Sequence, residues 1–373
     1  MSSPITPFKL ERYFAKYEFS VRYLLSPSDC ESIPLHALLA MADGECQILW
    51  DELNLGYTES QGHPLLRSEI AKLYQSVSAD EVIVLVPEEG ILIAFQTLLK
   101  PGDHVIAIFP AYQSLHEVAR SIGCRVTPWR VQLKDGRWFL DIEELEKSIT
   151  PNTRLLVINF PHNPTGFHPT LAEWQRVVDL ARAYHLYVFS DEMYRYLEYS
   201  ESARLPSLVD VYPKAIVLGG LSKAFALPGL RVGWLATHDQ QLYQDWAVYK
   251  DYTTICNSAP SEILGLLALR ARERIVKRNL QIIQNNLTAA EQFFNKFKSM
   301  FKWIPPVAGS VAFPCLAFEM PVEAFCRQML EKAQVMIVPD SMFDYSGNHF
   351  RVGLGRKSFA DALEALAKAL DSR

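Results

Sequence analysis

From about residue 80 the chain alternates short, mostly apolar runs with longer segments of helical period. The runs are Val82–Val86, Val105–Phe109, Leu155–Phe160, Leu186–Ser190, Ala215–Leu218 and Val232–Ala236. Several are apolar at consecutive positions, which predicts strands covered on both faces, as in a mostly parallel sheet. Between two of them Leu171, Trp174, Val177, Val178, Ala181 and Tyr184 recur at helical spacing behind Thr170, a residue type suited to an N-cap. Strand–helix–strand alternation of this kind predicts a layered α/β domain. From Ser261 to about Phe301 the pattern becomes one long helical stretch without proline, ended by Pro305-Pro306. The remainder, through Phe350–Leu354 and a helix over Phe359–Leu370, reads as a smaller α+β domain. The predicted division is a large domain over residues 40–270 and a small one built from 1–39 and 271–373.

Composition narrows the function classes. Of 373 residues 49% are apolar and 21% charged, with a net charge of −5 and no block of Lys and Arg. Nucleic acid and anionic membranes are therefore not expected partners. The opening MSSPITPFKLERYFAKYEF lacks an apolar signal core, and the run Gly90–Leu99 is interrupted by Gln96 and too short for a bilayer. A cytoplasmic protein is expected. Cysteines stand at 30, 46, 124, 256, 315 and 326 with no Cys-x-x-Cys pair, so reduced cysteines and no metal site are expected.

Three segments bear chemistry. In Gly219–Trp234 a lysine, Lys223, follows an apolar strand in a turn rich in Gly and Ser, and Arg231 comes eight positions later. A lysine desolvated there has a lowered pKa and a free amine to attack a carbonyl, while an arginine offers a fork of donors suited to phosphate. For any single lysine a surface role is the commoner case. In Leu186–Tyr194, Asp191 stands where a strand ends, the place where ligands bind in open α/β sheets. A carboxylate there suits a protonated ring nitrogen, although a lone Asp after a strand is more often a helix cap. In Asn159–Gly166, Asn163-Pro-Thr-Gly is a turn, and Asn163 is either a donor to a ligand or a plain turn residue.

Together and in this order, the three segments resemble fold-type-I pyridoxal-phosphate (PLP) enzymes, specifically the class I/II aminotransferases of the aspartate aminotransferase type. Asn163 precedes Asp191 by 28 positions, Asp191 precedes Tyr194 by 3, and Lys223 precedes Arg231 by 8. The resemblance implies a three-layer PLP-transferase fold with a smaller α+β domain. It implies Lys223 as the Schiff-base lysine and proton shuttle, and Asp191 paired with the pyridine nitrogen. It places Asn163 and Tyr194 on the ring oxygen, with Arg231 and Ser222 on the phosphate. Phe109-Pro-Ala-Tyr112 puts the ring of Tyr112 where the family stacks one on the cofactor. Arg351, in Phe-Arg-Val-Gly, is similar to the arginine that clamps the substrate α-carboxylate, beside Asn163. Tyr57 is similar to a tyrosine that reaches the phosphate of the neighbouring subunit, which implies a homodimer with shared active sites. The implied Asn163–Pro164 bond is cis.

The sequence departs from the family at three places. The phosphate cup reads Glu88-Glu-Gly-Ile-Leu92, leaving backbone N–H groups of Gly90, Ile91 and Leu92 as the expected donors beside two carboxylates. Gly220 replaces a phosphate-binding Ser common three places before the lysine. No Gly-rich substrate loop is recognisable between Ser26 and Asp51. The distal pocket is expected from the N-terminal segment and Tyr252–Ser258, neither of which offers an arginine that points to a dicarboxylic substrate. The expected reaction moves an amino group from an amino acid to a 2-keto acid. A PLP lyase, or a cyclase similar to capreomycidine synthase, would use the same residues.

Overall fold

A computed structural model describes residues 5–371. Its centre is an eight-stranded sheet: β1 (Val82–Leu85), β2 (His104–Phe109), β3 (Arg125–Lys134), β4 (Arg137–Leu140), β5 (Thr153–Asn159), β6 (Tyr187–Asp191), β7 (Ala215–Gly220) and β8 (Gly233–Ala236). The spatial order is β1-β8-β7-β6-β5-β2-β3-β4. The five strands from β7 to β3 run parallel, and β8, β1 and β4 join antiparallel.

The consecutive apolar positions are explained by two cores, one on each face. Val105 and Ala107 of β2 point into one cluster and Ile106 and Ile108 into the other, and in β5 Leu155 and Val157 are divided in the same way from Leu156 and Ile158. Because strand side chains alternate, a strand with helices on both faces must be apolar at every position. Thr170 caps the helix Leu171–Ala183 through a reciprocal box with Glu173: the Glu173 N–H donates to the threonine hydroxyl at 3.3 Å, and the Thr170 N–H donates to the carboxylate at 2.7 Å.

The smaller part of the molecule carries short strands. Tyr23–Leu24 pairs in parallel with Val335–Met336, and Phe350–Gly353 lies between Val311–Ala312 and Val338–Pro339. Helices Val322–Ala333 and Phe359–Asp371 pack against them.

The structure corrects the single long helix. It is two helices, Ala259–Arg270 and Arg272–Lys296, broken at Ala271. No proline or glycine marks the break. It is held by tertiary ion pairs, from Arg270 to Asp43 and Glu45 and from Arg272 to Glu69. The second helix also stops at Phe297, ahead of Pro305. Leaving the helix there lets Phe301 turn back onto Phe294, ring centroids 5.5 Å apart. The β3–β4 hairpin was not expected either. It is an edge, and polar residues interleave with its buried Trp129, Val131, Trp138 and Leu140.

Candidate active site

The register of the sheet assembles the chemistry. Asn159 of β5 lies opposite Asp191 of β6, and Asp191 opposite Leu218 of β7. The turns after these three strands therefore open at one end of the sheet. There they meet the smaller part of the molecule around a cavity of about 620 Å³. That volume falls in the range for a cofactor with a small substrate.

Asp191 is buried at the cavity floor, where its Oδ1 accepts the Met193 N–H at 3.0 Å. Burial pushes its carboxyl up to about 7; the Met193 bond and nearby Lys223 hold it down in part. Asn159 bridges the two turns, donating from Nδ2 to the Asp191 carbonyl at 3.0 Å and accepting the Asn163 N–H at 2.9 Å. Sequence reasoning gave Asn159 no role. The available signal was its place as the single polar residue closing an apolar strand. The Asn163–Pro164 bond is cis as expected, and Phe109–Pro110 and Phe160–Pro161 are cis as well.

Lys223 reaches into the cavity just beyond β7 and donates from Nζ to Ser28 Oγ at 2.9 Å. Ser222 and Tyr194 are buried on the same wall. Arg231 has a left-handed backbone (φ 55°) and donates to the Pro228 carbonyl at 2.8 Å, which directs its exposed side chain across the cavity mouth. Arg351 is 1% exposed. Its Nε and Nη2 donate to the Ser26 carbonyl at 3.2 and 2.9 Å, and Nη1 donates to Asn163 Oδ1 at 3.1 Å. The Phe343 ring lies 5.1 Å from the guanidinium.

The cup differs from its expected form. Gly90 donates its N–H to the Val86 carbonyl, and Ile91 and Leu92 lie one turn inside the helix Pro87–Leu98. The free N–H groups at the helix start are those of Glu88 and Glu89, because the helix begins at Pro87 rather than at the glycine. Of the three expected donors only Ile91 lines the cavity; Gly90 packs on Leu85 and Leu218, where a Cβ would come within 2.8 and 3.1 Å. The two carboxylates separate. Glu89 turns away, accepting from the Val86 N–H and the hydroxyls of Thr253 and Thr254. Glu88 faces the cavity, pushed up to about 7 by burial and further by Glu11 and Asp191, with a Ser114 hydrogen bond and Arg231 opposing.

Two expected contributors lie elsewhere in the single chain. Tyr57 is 92% exposed and away from the cavity. Tyr252–Ser258 is also off it. The N-terminal segment does reach the cavity, as expected: the helix Lys9–Tyr17 forms its roof, with Phe14 and Glu11 lining it. Tyr112 donates its hydroxyl to Glu11 at 3.1 Å, with Phe8 4.9 Å from its ring centroid. Among the described residues no group of three or more His, Cys, Asp or Glu is arranged to hold a metal, and no helix is long and apolar enough to cross a membrane.

Against known proteins, the family model for aminotransferase class I and II matches residues 26–370. The chain belongs to that family. An aspartate aminotransferase of Pyrococcus horikoshii is 29% identical over 327 residues, covering 84% of this chain and 81% of that one. A capreomycidine synthase of Streptomyces vinaceus is 27% identical over 284 residues, 76% of this chain and 72% of the other. Among solved structures, a PLP-dependent aminotransferase from Streptococcus suis superimposes with a TM-score of 0.92 at 30% identity, over 99% of both chains. The expected fold class and the expected enzyme class, a PLP-dependent aminotransferase, both hold for this family member.

Proposed function

We propose that this aminotransferase family member holds pyridoxal 5′-phosphate in the cavity, bonded to Lys223, and works as a cytoplasmic homodimer on an amino acid and a 2-keto acid. The observation that carries the reading is the convergence of Lys223, Asp191, Asn163, Ser222, Arg231 and Arg351 on one cavity, from four separate chain segments. The donor set fits the cofactor. A carboxylate whose lone charge is costly to bury sits on the floor, a primary amine stands above it, and an arginine with free N–H groups closes one end. Residues 40–270 would hold the cofactor, and 1–39 with 271–373 would close over it. Tyr57, exposed in one chain, would reach the phosphate site of the partner subunit.

When bound, pyridoxal phosphate supplies a carbonyl that takes up the amino group and a ring that draws electrons from the substrate Cα–H bond. The chain supplies the rest. Arg351, fixed by Ser26 and Asn163, presents a rigid fork to the α-carboxylate and thereby sets which Cα substituent faces Lys223. Lys223 Nζ takes the Cα proton and delivers it on the same face, with Ser28 Oγ holding the amine in place between transfers. Asp191, excluded from water, carries its charge at a cost that a cationic partner at the ring nitrogen would relieve. The Lys9–Tyr17 helix covers the cavity from solvent.

Borohydride reduction of the yellow holoenzyme followed by peptide mapping tests this directly. The cofactor mass is expected on the peptide containing Lys223, and Lys223→Ala is expected to bind cofactor without turnover. Mass on another lysine would refute the assignment. An olefin or cyclised product in place of the keto acid would replace transamination with lyase or cyclase chemistry.

A further inference from the structure

Within the cavity the cations are accounted for, and the two carboxylates of its roof are not. Arg356 donates to Asp29 at 2.8 Å, Arg351 is held by Ser26 and Asn163, and Lys223 and Arg231 face the floor and one end. Glu11 and Glu18 line the cavity from the roof, and neither forms an ion pair among the described residues. Their spacing makes this a feature of the helix. Glu11, Phe14 and Glu18 stand at i, i+3 and i+7, one face of Lys9–Tyr17 continued through its right-handed C-cap at Glu18. The Glu11 carboxylate takes one hydroxyl, from Tyr112. Burial, with Asp29 alongside, raises the Glu18 carboxyl above its ordinary range, and Arg356 offsets this only in part.

Phe14 ties the roof to the clamp: its ring centroid is 6.0 Å from the Arg351 guanidinium. A substrate whose α-carboxylate sits on Arg351 therefore runs its side chain along Phe14 with a glutamate on either side. An apolar ring suits methylenes, and two unpaired carboxylates suit a cation at their end. A second carboxylate on the substrate would meet like charge instead.

Resting on the aminotransferase reading above, we infer that the substrate is an amino acid whose side chain ends in a positive charge, a guanidinium or an ammonium, taken up by Glu11 and Glu18. These two residues are the specificity determinants of the distal pocket.

Binding and turnover test this separately on the holoenzyme. For binding, the probes are 5-guanidinopentanoate, 5-ureidopentanoate and adipate. All offer a carboxylate to Arg351 and none has an α-amino group to react. Calorimetry is expected to rank the guanidino acid tightest, by about tenfold over its neutral ureido counterpart, the order of one charge-assisted pair near the surface. Adipate is expected to be weakest. Glu11→Gln and Glu18→Gln, nearly isosteric changes on a half-exposed helix face, should each reduce the preference, and together they should abolish it. Equal binding of the guanidino and ureido acids, tightest binding of adipate, or a preference untouched in the double variant would overturn the inference. In turnover, keto acid from arginine or ornithine in excess of that from citrulline or glutamate supports it. Keto acid from neutral or acidic amino acids alone would defeat it and leave the aminotransferase reading intact. Preferential guanidino binding with no keto acid from any amino acid would do the reverse.

Discussion

The buried carboxyl of Asp191 makes a pH-dependent prediction that needs no substrate. Its folded-state pKa is pushed from the ordinary 3.8 up to about 7, chiefly by burial. A carboxyl that holds its proton more tightly when folded makes the folded state bind more protons than the unfolded chain. Stability from this group therefore falls as pH rises from about 3.8 through about 7, and is level outside that window. The full shift corresponds to about 4 kcal/mol at 1.36 kcal/mol per pKa unit, of which about 2 kcal/mol is lost between about pH 5.5 and about pH 8. Other buried carboxyls pushed up to about 7, Glu88 and Glu262, impose the same slope, so the informative quantity is a difference between two proteins. Asp191→Asn retains an oxygen to accept the Met193 N–H and carries no charge. Urea denaturation of cofactor-free protein at the two pH values is expected to show the wild type losing about 2 kcal/mol more than Asp191→Asn. Added cofactor should stabilise the wild type most at the higher pH, because a cationic ring nitrogen then pairs the ionised carboxylate. Identical pH slopes for the two proteins would refute the placement of an unpaired, desolvated carboxyl at the cavity floor.

Glu88 opposes the gain in cofactor affinity that Asp191 brings as pH rises through about 7, since its carboxyl donates a hydrogen bond to phosphate when protonated and repels it when ionised. In Glu88→Gln the affinity should rise more steeply with pH than in the wild type, as read by fluorescence titration of the cofactor. Arg351→Lys keeps the charge but loses the fork, and should raise KM by roughly tenfold to a hundredfold. Arg351→Ala should in addition cost about 2–4 kcal/mol of stability, because it orphans the buried Ser26 carbonyl and Asn163 Oδ1. Mixing Lys223→Ala protein with a Tyr57→Phe, Arg231→Ala double variant should restore partial activity if tyrosines cross between subunits; subunit exchange shown by mass without recovery would count against a shared site.

What could be read from the sequence depended on how local each signal was. The strands of the parallel core were legible because burial on both faces forces consecutive apolar residues, as in Ile106–Ile108. Lys223, Asp191 and Asn163 stood out because each lies at the end of such a strand or in the turn that follows it. The break at Ala271 was not, since Asp43, Glu45 and Glu69 hold it from far along the chain. The cup donors were misplaced by assuming that the glycine opens the helix, when Pro87 does. The N-terminal segment was expected at the distal pocket, but which of its residues face the cavity depends on a helix, Lys9–Tyr17, that its pattern did not announce. Ser26 and Ser28 left no signal at all. One contributes a carbonyl, and the other touches Lys223 only through the tertiary fold.

The stretch around Ser26 also has a temporal consequence. Leu25 accepts the Gly353 N–H, the Ser26 carbonyl receives Arg351, Ser28 receives both Lys223 and Ser310, and Glu31 donates to Gly355. The Ser26–Arg351 contact joins residues 325 positions apart. On a ribosome, the first of these partners must wait while the 325 positions that separate Ser26 from Arg351 are made, and their meeting closes a correspondingly long loop. The fit is tight: a Cβ on Gly353 would fall 1.7 Å from the Pro27 carbonyl oxygen, so the two strands of chain interlock only in their final arrangement. A nascent chain bearing Lys223, Asp191 and Asn163 thus has its amine before it has the means to grip a substrate, and gains that grip only when residues 351–355 dock.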